Sequence, residues 1–308
     1  SDVCSSDLLS HRRTDKGDLL FERHSGDFQL YRGRWEFLPL DDGQTLLALT
    51  SRMDFSGIGW TADTILWAQP DLERTLPVIR GTKFLDTFRN ELSDTTSPGP
   101  ERGKDTGPSI PSMLEDPEHP EALRTLARDR LVIFIHPPTD VEVSDETKEL
   151  YYLTTLAVVD GPLEEARRHL TTFEEVPNFI NQLETVEAEQ TENGFEAKWH
   201  FDMGFGIFSV PVDYHTRYTW QSERRLTYER ISGDLNPIYG AYEWYELSPD
   251  KTLYAFTAGS RLGNEAPEIV KLGESLPRPQ IFMGLSLGTV GVENGVRWAN
   301  EQVRTGTD

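Results

Sequence analysis

Cysteine is almost missing: the 308-residue chain has one, Cys4. It falls in "SDVCSSDL", Ser1 to Leu8, which reads like a translated sequencing adapter. The native chain is therefore expected to begin near Leu9, and residues 1–14 are read as an adapter-derived or disordered start. Without Cys4 there is no disulfide, no thiol nucleophile and no cysteine metal site. Long apolar runs are missing too. The most apolar stretch, "IFMGLSLGTVGV" from Ile281, has 12 residues and stops at Glu293-Asn294. That is short of the roughly 18 needed for a transmembrane segment, and a buried helix is expected. Positive charge is scarce, with 30 Lys and Arg against 52 Asp and Glu and a formal net charge of −22. Such a balance argues against nucleic acid or an anionic membrane as partner. There is no P-loop, no G-x-G-x-x-G, no H-x-x-x-H pair and no metal cluster, so no cofactor is expected. "GLSLG" at Gly284–Gly288 fits the nucleophile-elbow pattern, but the last histidine is His215. No acid-then-histidine order can follow Ser286, and the match is rejected.

What is present is a repeat. Phe21–Thr50, "FERHSGDFQLYRGRWEFLPLDDGQTLLALT", aligns without gaps to Tyr228–Thr257, "YERISGDLNPIYGAYEWYELSPDKTLYAFT", at an offset of 207 (228 − 21). Twelve of the thirty positions are identical, where chance gives two or three, so the block is duplicated. Each copy reads as three antiparallel strands. Ser-Gly-Asp breaks the first, and "DDGQ" or "SPDK" turns the second into the third. Between the copies, Ser93–Glu121 holds six prolines and no apolar period, which predicts a flexible acidic linker. A short helix over Ala122–Asp129 and a lead-in strand over Leu131–His136 are expected next.

Around the second copy the pattern predicts a strand over Glu149–Val159 and short helices over Leu163–Leu170 and Phe173–Leu183. Strands are then predicted at 184–191, 195–203, 207–221, 224–232, 238–247 and 251–260, with a long helix over Pro279–Val303. The first helix opens at Pro162, a favoured first-turn position. With "VVDGPLEEARRHLTTFEEVPNFI", "GAYEWYEL…KTLYAFTA" and "LPRPQIF", this order resembles the START-like (SRPBCC) superfamily, in its polyketide cyclase and coenzyme Q-binding branch. The Val176-Pro177-Asn178-Phe179 segment matches the family. The first helix departs from it, with His169 and Phe173 nearby where a Trp is usual. The resemblance implies an α+β helix-grip fold, a curved antiparallel sheet wrapped around a long C-terminal helix. It covers Lys148–Val303 fully and Asp15–Leu92 in part. The expected domains are residues 15–92, the C-terminal half of a first helix-grip domain; 93–129, the linker; and 130–308, a complete second domain. Shifted by 207, the start of the first copy falls before the chain begins, so its front half is expected to be lost. Residues 15–92 should then hold strands and a closing helix, with an exposed apolar face.

Alternation along strands assigns the inward face. It carries Phe195, Ala197, Trp199, Phe201 and Met203, then Phe208, Val210, Val212, Tyr214, Tyr218 and Trp220. Leu226, Tyr228 and Arg230 follow, then Tyr242 and Trp244, while Asp213, His200, His215 and Arg217 point outward. Arg230 recurs as Arg23. It is read as pairing with Glu246, meeting a ligand carbonyl, or reaching water or Asp234. Gly284, Gly288, Gly291 and Gly295 form one stripe on the last helix, where close approach to the sheet or a ligand must offset their helix cost. The candidate ligand-binding residues are thus Trp199, Phe201, Tyr214, Tyr218, Trp220, Tyr228, Arg230, Tyr242, Trp244 and Gly288. Together they predict non-catalytic binding or transfer of a hydrophobic small molecule, a lipid, quinone or polyketide-like compound. Hiding ~300 Å² of it would gain roughly 7 kcal/mol before the costs of association. The alternatives are an aromatase/cyclase-type enzyme, with Tyr214, Tyr228 and Arg230 to test, and an interaction module with a filled core.

Overall fold

The structure is a computed structural model, and it describes residues 8–26, 28–39, 45–54, 77–78, 81, 84–85, 110–112, 123, 126–128, 130–136, 138–143, 146–205, 208–262 and 279–306. The chain divides into two compact units, Ser1–Glu101 and Arg102–Asp308.

In the first unit β1 (Leu8–Arg13), β2 (Leu19–Ser25), β3 (Leu30–Pro39) and β4 (Thr45–Asp54) form one antiparallel sheet in chain order. The repeat predicts three of these. β1 is an addition, and it corrects the reading of residues 8–13 as part of a disordered start. It pairs with β2, His11 opposite Phe21. The turn between them is closed by the Gly17 N–H on the Thr14 carbonyl (3.0 Å), with Gly17 at φ +92. Phe21, Phe28, Tyr31 and Met53 make a small core on one face. Most of the expected closing helix lies outside the described residues.

The second unit holds β5 (Val132–Ile135), β6 (Thr139–Val143), β7 (Glu146–Leu150), β8 (Leu153–Val159), α1 (Leu163–Thr171) and a 3-10 segment (Phe173–Asn178). Then come β9 (Leu183–Thr191), β10 (Gly194–Phe205), β11 (Phe208–Ser222), β12 (Arg225–Gly233), β13 (Leu235–Ser248), β14 (Lys251–Leu262) and α2 (Pro279–Thr305). Eight strands make one antiparallel sheet in the order β5-β8-β14-β13-β12-β11-β10-β9. α2 packs on β8 and β14, and α1 packs on α2. This arrangement fits the helix-grip fold, with more sheet than the sequence suggested. The single strand expected over Glu149–Val159 is two, because β7 turns back on β6 as a separate hairpin. The second short helix is a 3-10 segment, shortened by Pro177, which has no N–H to extend it.

The duplication extends to strand register. His11 opposite Phe21 matches Tyr218 opposite Tyr228, Leu19 opposite Trp35 matches Leu226 opposite Tyr242, and Tyr31 opposite Met53 matches Ile238 opposite Ser260. Even an irregularity repeats: the register shifts between Leu8 and Leu9 against β2, and between His215 and Thr216 against β12.

The repeated Glu-Arg-x-Ser-Gly-Asp is a corner. β12 ends at Gly233 and β13 begins at Leu235, so the chain reverses without a loop. Gly233 takes φ +109 and Gly26 φ +140, a region open to glycine and strained for other residues. The Arg230 Nη2 donates to the Gly233 carbonyl (3.0 Å), as the Arg23 Nη2 donates to that of Gly26 (2.6 Å). Asp234 accepts from the Asp213 N–H through its carboxylate (2.8 Å) and donates its own N–H to the Asp213 carbonyl (2.7 Å). Recurrence of the arginine is thus explained by backbone geometry.

The outer face of the large sheet is covered in part by residues expected to be linker. Ile110 packs on the cluster of Val141, Leu150 and Tyr152, and its carbonyl accepts from Arg225 Nη2 (2.9 Å). Ser112 donates to Glu243 (2.5 Å), which also pairs with Arg225 (3.2 Å) and is 2% exposed. Leu123, Leu126 and Ala127 are buried. The flexible linker expected over 93–121 therefore does not hold at Ile110 and Ser112, while Leu123, Leu126 and Ala127 are helical within the span expected to form a short helix. The Ile110 side chain and one charge-assisted network dock Ile110–Ser112 on the sheet.

On the same face the His136 Nε2 meets the Thr154 hydroxyl (2.7 Å), which in turn meets that of Thr257 (2.7 Å). Burial lowers the His136 pKa to about 4. Between the free-histidine value of 6.5 and about 4 the unfolded chain binds a proton that the folded chain refuses. This contribution is complete above 6.5 and is lost as pH falls toward 4, up to about 3 kcal/mol. Urea melts from pH 7.5 to 4 should show that loss, and His136→Gln should flatten it.

The glycine stripe packs against two different layers. A Cβ on Gly288 would lie 3.0 Å from the Thr155 hydroxyl on β8, while the space beside Gly291 is bounded by Ile180 at 3.8 Å. Gly291→Ala should therefore keep the packing and gain up to about 1 kcal/mol of helix propensity. A rise in melting temperature checks it; a fall would mean that the helix must approach closer at this point.

Candidate functional site

The concave face of the large sheet gathers most of the aromatic side chains that alternation pointed inward. Trp199, Phe201, Tyr218, Tyr228 and Trp244 are buried in one cluster, and Tyr214, Trp220 and Tyr242 pack against it half-buried. Strand register explains the gathering. Trp199 lies opposite Tyr214, Tyr218 opposite Tyr228, and Leu226 opposite Tyr242, so the rings form cross-strand ladders. Phe201 and Trp199 both stack on Tyr214, at 5.7 and 5.9 Å between centroids. Tyr228 stacks on Phe256 at 6.2 Å, and Tyr242 stacks on Trp244 at 6.1 Å.

Three residues were missed. Tyr254 and Phe256 on β14 belong to the same face, opposite Trp244 and Tyr242. Extending the alternation through "KTLYAFTA" would have found both. Phe173 reaches the cluster from the 3-10 segment, and no periodicity announces it.

The face has a polar knot at its centre. The Trp199 Nε1 donates to the buried Thr216 hydroxyl (3.0 Å). Burial raises the Tyr218 pKa, and hydrogen bonds with Thr216, Tyr242 and Trp199 pull it part of the way back. Burial likewise pushes Tyr214, Tyr228, Tyr242 and Tyr254 well above the usual phenol value. All five are therefore neutral donors at any physiological pH. Tyr228 donates across to the Thr257 carbonyl (3.3 Å). Tyr214, Tyr242 and Phe256 keep residual accessibility although other rings surround them.

Two candidates are placed otherwise. The Arg230 guanidinium turns back to the Gly233 corner, and the nearest atom to the open side of Gly288 is the Thr155 hydroxyl. Glu246, the expected partner of Arg230, is exposed. His200 and His215 lie on the outer face as alternation predicted. His200 bridges Asp213 (2.5 Å) and Glu184 (3.2 Å), and the hydrogen bond to Asp213 raises its pKa.

A separate groove of about 690 Å³ runs between α1 and the end of β11, lined by Glu164, Glu165, Arg167, Arg168, Trp220 and Glu223 among others. It meets the aromatic cluster only at Trp220, which Arg167 covers at 5.5 Å. Among the described residues no group of three or more His, Cys, Asp or Glu is placed to hold a metal ion, and no helix is long and apolar enough to cross a membrane.

No family model and no curated protein matches the chain. Among solved structures it is similar to the Zhui aromatase/cyclase from Streptomyces sp. R1128, with 12% identity over 51% of this chain and 98% of that one, TM-score 0.41. A START superfamily protein from Mycobacterium smegmatis is similar at 14% identity over 51% of this chain and 99% of that one, TM-score 0.39. The di-domain ARO/CYC StfQ from the steffimycin biosynthetic pathway is similar at 12% identity, over 97% of this chain and 79% of that one, TM-score 0.39.

Proposed function

We propose that the second unit binds a hydrophobic small molecule, of lipid, quinone or polyketide-like type, on its aromatic concave face and does not transform it. The observation that carries this reading is the half-buried state of Tyr214, Tyr242 and Phe256 among buried rings. Rings with polar edges supply apolar area together with hydrogen bonds that orient a ligand. The tyrosines are neutral, which favours an uncharged ligand with oxygen acceptors. The first unit, in this reading, repeats part of the same kind of domain.

Native mass spectrometry of the purified chain tests for a co-purified compound, and titration with N-phenyl-1-naphthylamine tests the face directly. The expected result is one saturable site, weakened at least about tenfold in the Tyr214→Ala/Tyr242→Ala double variant, since each ring removed takes about 1–2 kcal/mol of contact. Absence of probe binding by a folded chain would sink the proposal.

A second reading, an aromatase/cyclase-type enzyme, is favoured by one observation. The Tyr218 phenol sits in a knot with Thr216, Tyr242 and Trp199, where a held proton could serve an enolising carbonyl. Turnover of a poly-ketone substrate that Tyr218→Phe abolishes, while probe binding persists, would establish it over the first reading.

A further inference from the structure

We infer that Phe173 is a built-in plug, a ring of the protein's own that occupies the ligand's position and sets the size of compound the aromatic face accepts. The inference rests on the proposed ligand-binding reading. Phe173 reaches the face from outside the sheet. Its ring lies 4.6 Å from Tyr218, 5.5 Å from Trp199, 5.8 Å from Phe195 and 6.1 Å from Tyr242, so four sheet rings surround it. It is 1% exposed. Two of those rings, Tyr218 and Trp199, make the polar knot, so the plug covers the groups best placed to orient a ligand.

The element that carries the ring is short and irregular. It is a six-residue 3-10 segment with Pro177 inside it. At its ends the Glu175 N–H donates to the Thr172 carbonyl, and the Phe179 and Ile180 N–H groups donate to that of Val176. Two side-chain contacts tie it to α2. The Trp298 Nε1 donates to Glu175 (3.3 Å), and the Asn294 Nδ2 donates to the Phe179 carbonyl (2.9 Å). On the facing surface of α2, a Cβ added to Gly291 would lie 3.8 Å from Ile180, and one added to Gly295 would lie 3.4 Å from Leu170 and 3.5 Å from Phe179. The segment also packs on β9, so its two side-chain ties to α2 are the contacts that can open while the strand pairing stays intact.

The test compares the full-length chain with Phe173→Ala, Phe173→Leu and Trp298→Phe. The probes are toluene, one ring, and N-phenyl-1-naphthylamine, three rings. If Phe173 is a plug, both Phe173 variants bind the larger probe at least about tenfold more tightly than the unaltered chain. Trp298→Phe, which frees the latch and leaves the plug in place, speeds binding and release of that probe together. If Phe173 is ordinary core, its removal leaves a hole that admits toluene alone, and affinity for the larger probe stays level or falls; that overturns the plug. Phe173→Leu keeps the test alive should Phe173→Ala fail to fold, and Trp298→Phe reads the same question without altering the ring. Failure of every chain to bind either probe strikes the ligand-binding reading instead, which separates the two outcomes.

Discussion

Gly240→Ala is expected to destabilise the second unit by about 3–4 kcal/mol, a large share of the ~5–15 kcal/mol that holds a domain together. A Cβ at this position would lie 2.1 Å from the Thr257 carbonyl oxygen and 2.3 Å from the ring and hydroxyl of Tyr228. The backbone oxygen is fixed by the β13–β14 pairing, and the Tyr228 ring has its way across β13 only through this gap. An added methyl must therefore displace the ring, and with it the bond from the Tyr228 hydroxyl to the Thr257 carbonyl. The same construction stands in the first unit, where a Cβ on Gly33 would meet Phe21 and the Thr50 carbonyl, each at 2.3 Å. All three positions correspond at the repeat offset. Gly33→Ala should therefore cost a similar amount there, less the one hydrogen bond that Phe21 cannot make. Urea melts of the full chain, with hydrogen exchange at the β12–β14 and β2–β4 amides to locate the loss, check both. Loss below about 1 kcal/mol at Gly240 would show that the ring has another place to go.

Much of the second unit was legible because its strands alternate cleanly and its turns carry glycine, proline or aspartate. Phe195, Ala197, Trp199 and Phe201 lie on one face because period 2 leaves no other choice, and β9 to β14 start within three residues of expectation. The parts that escaped share a cause: they depend on what lies opposite in space. Arg225 and Glu243 read as ordinary charges on alternating strands. Glu243 is buried and Arg225 half-buried where a short segment, Ile110–Ser112, folds over them, and a single isoleucine there gives no period to detect. β6 and β7 are short and polar, so their pairing shows only in the hairpin. Phe173 opens the segment expected as a second short helix, and only the structure shows which rings it meets. Arg230 erred in the other direction. Its recurrence suggested binding, but both copies of the arginine serve the corner that Gly26 and Gly233 make.

Trp244→Ala should cost about 4 kcal/mol, and Trp244→Phe about 1, for reasons that separate packing from hydrogen bonding. Trp244 is 0% exposed and lies within 5.8–6.1 Å of Trp220, Tyr254 and Tyr242, so truncation opens a cavity that three large rings cannot close. Its Nε1 finds no acceptor among the described residues, so phenylalanine sacrifices volume while relieving a buried donor. Trp199→Phe is the contrasting case. There the Nε1 is bonded to Thr216, and the same exchange takes a donor from a polar knot whose buried hydroxyl then keeps only Tyr218 and a longer bond, 3.4 Å, to the Ala197 carbonyl. It should therefore cost more than Trp244→Phe despite the identical change in volume. The repeat supplies a further control, since Phe37 occupies the position of Trp244 in the first unit and is 50% exposed. Phe37→Ala should change stability by no more than about 1 kcal/mol, because a half-exposed ring leaves little cavity behind. Urea midpoints at constant slope would register all four changes. Equal losses at Phe37 and Trp244 would mean that the exposed ring is covered in solution, and that the two faces are built alike.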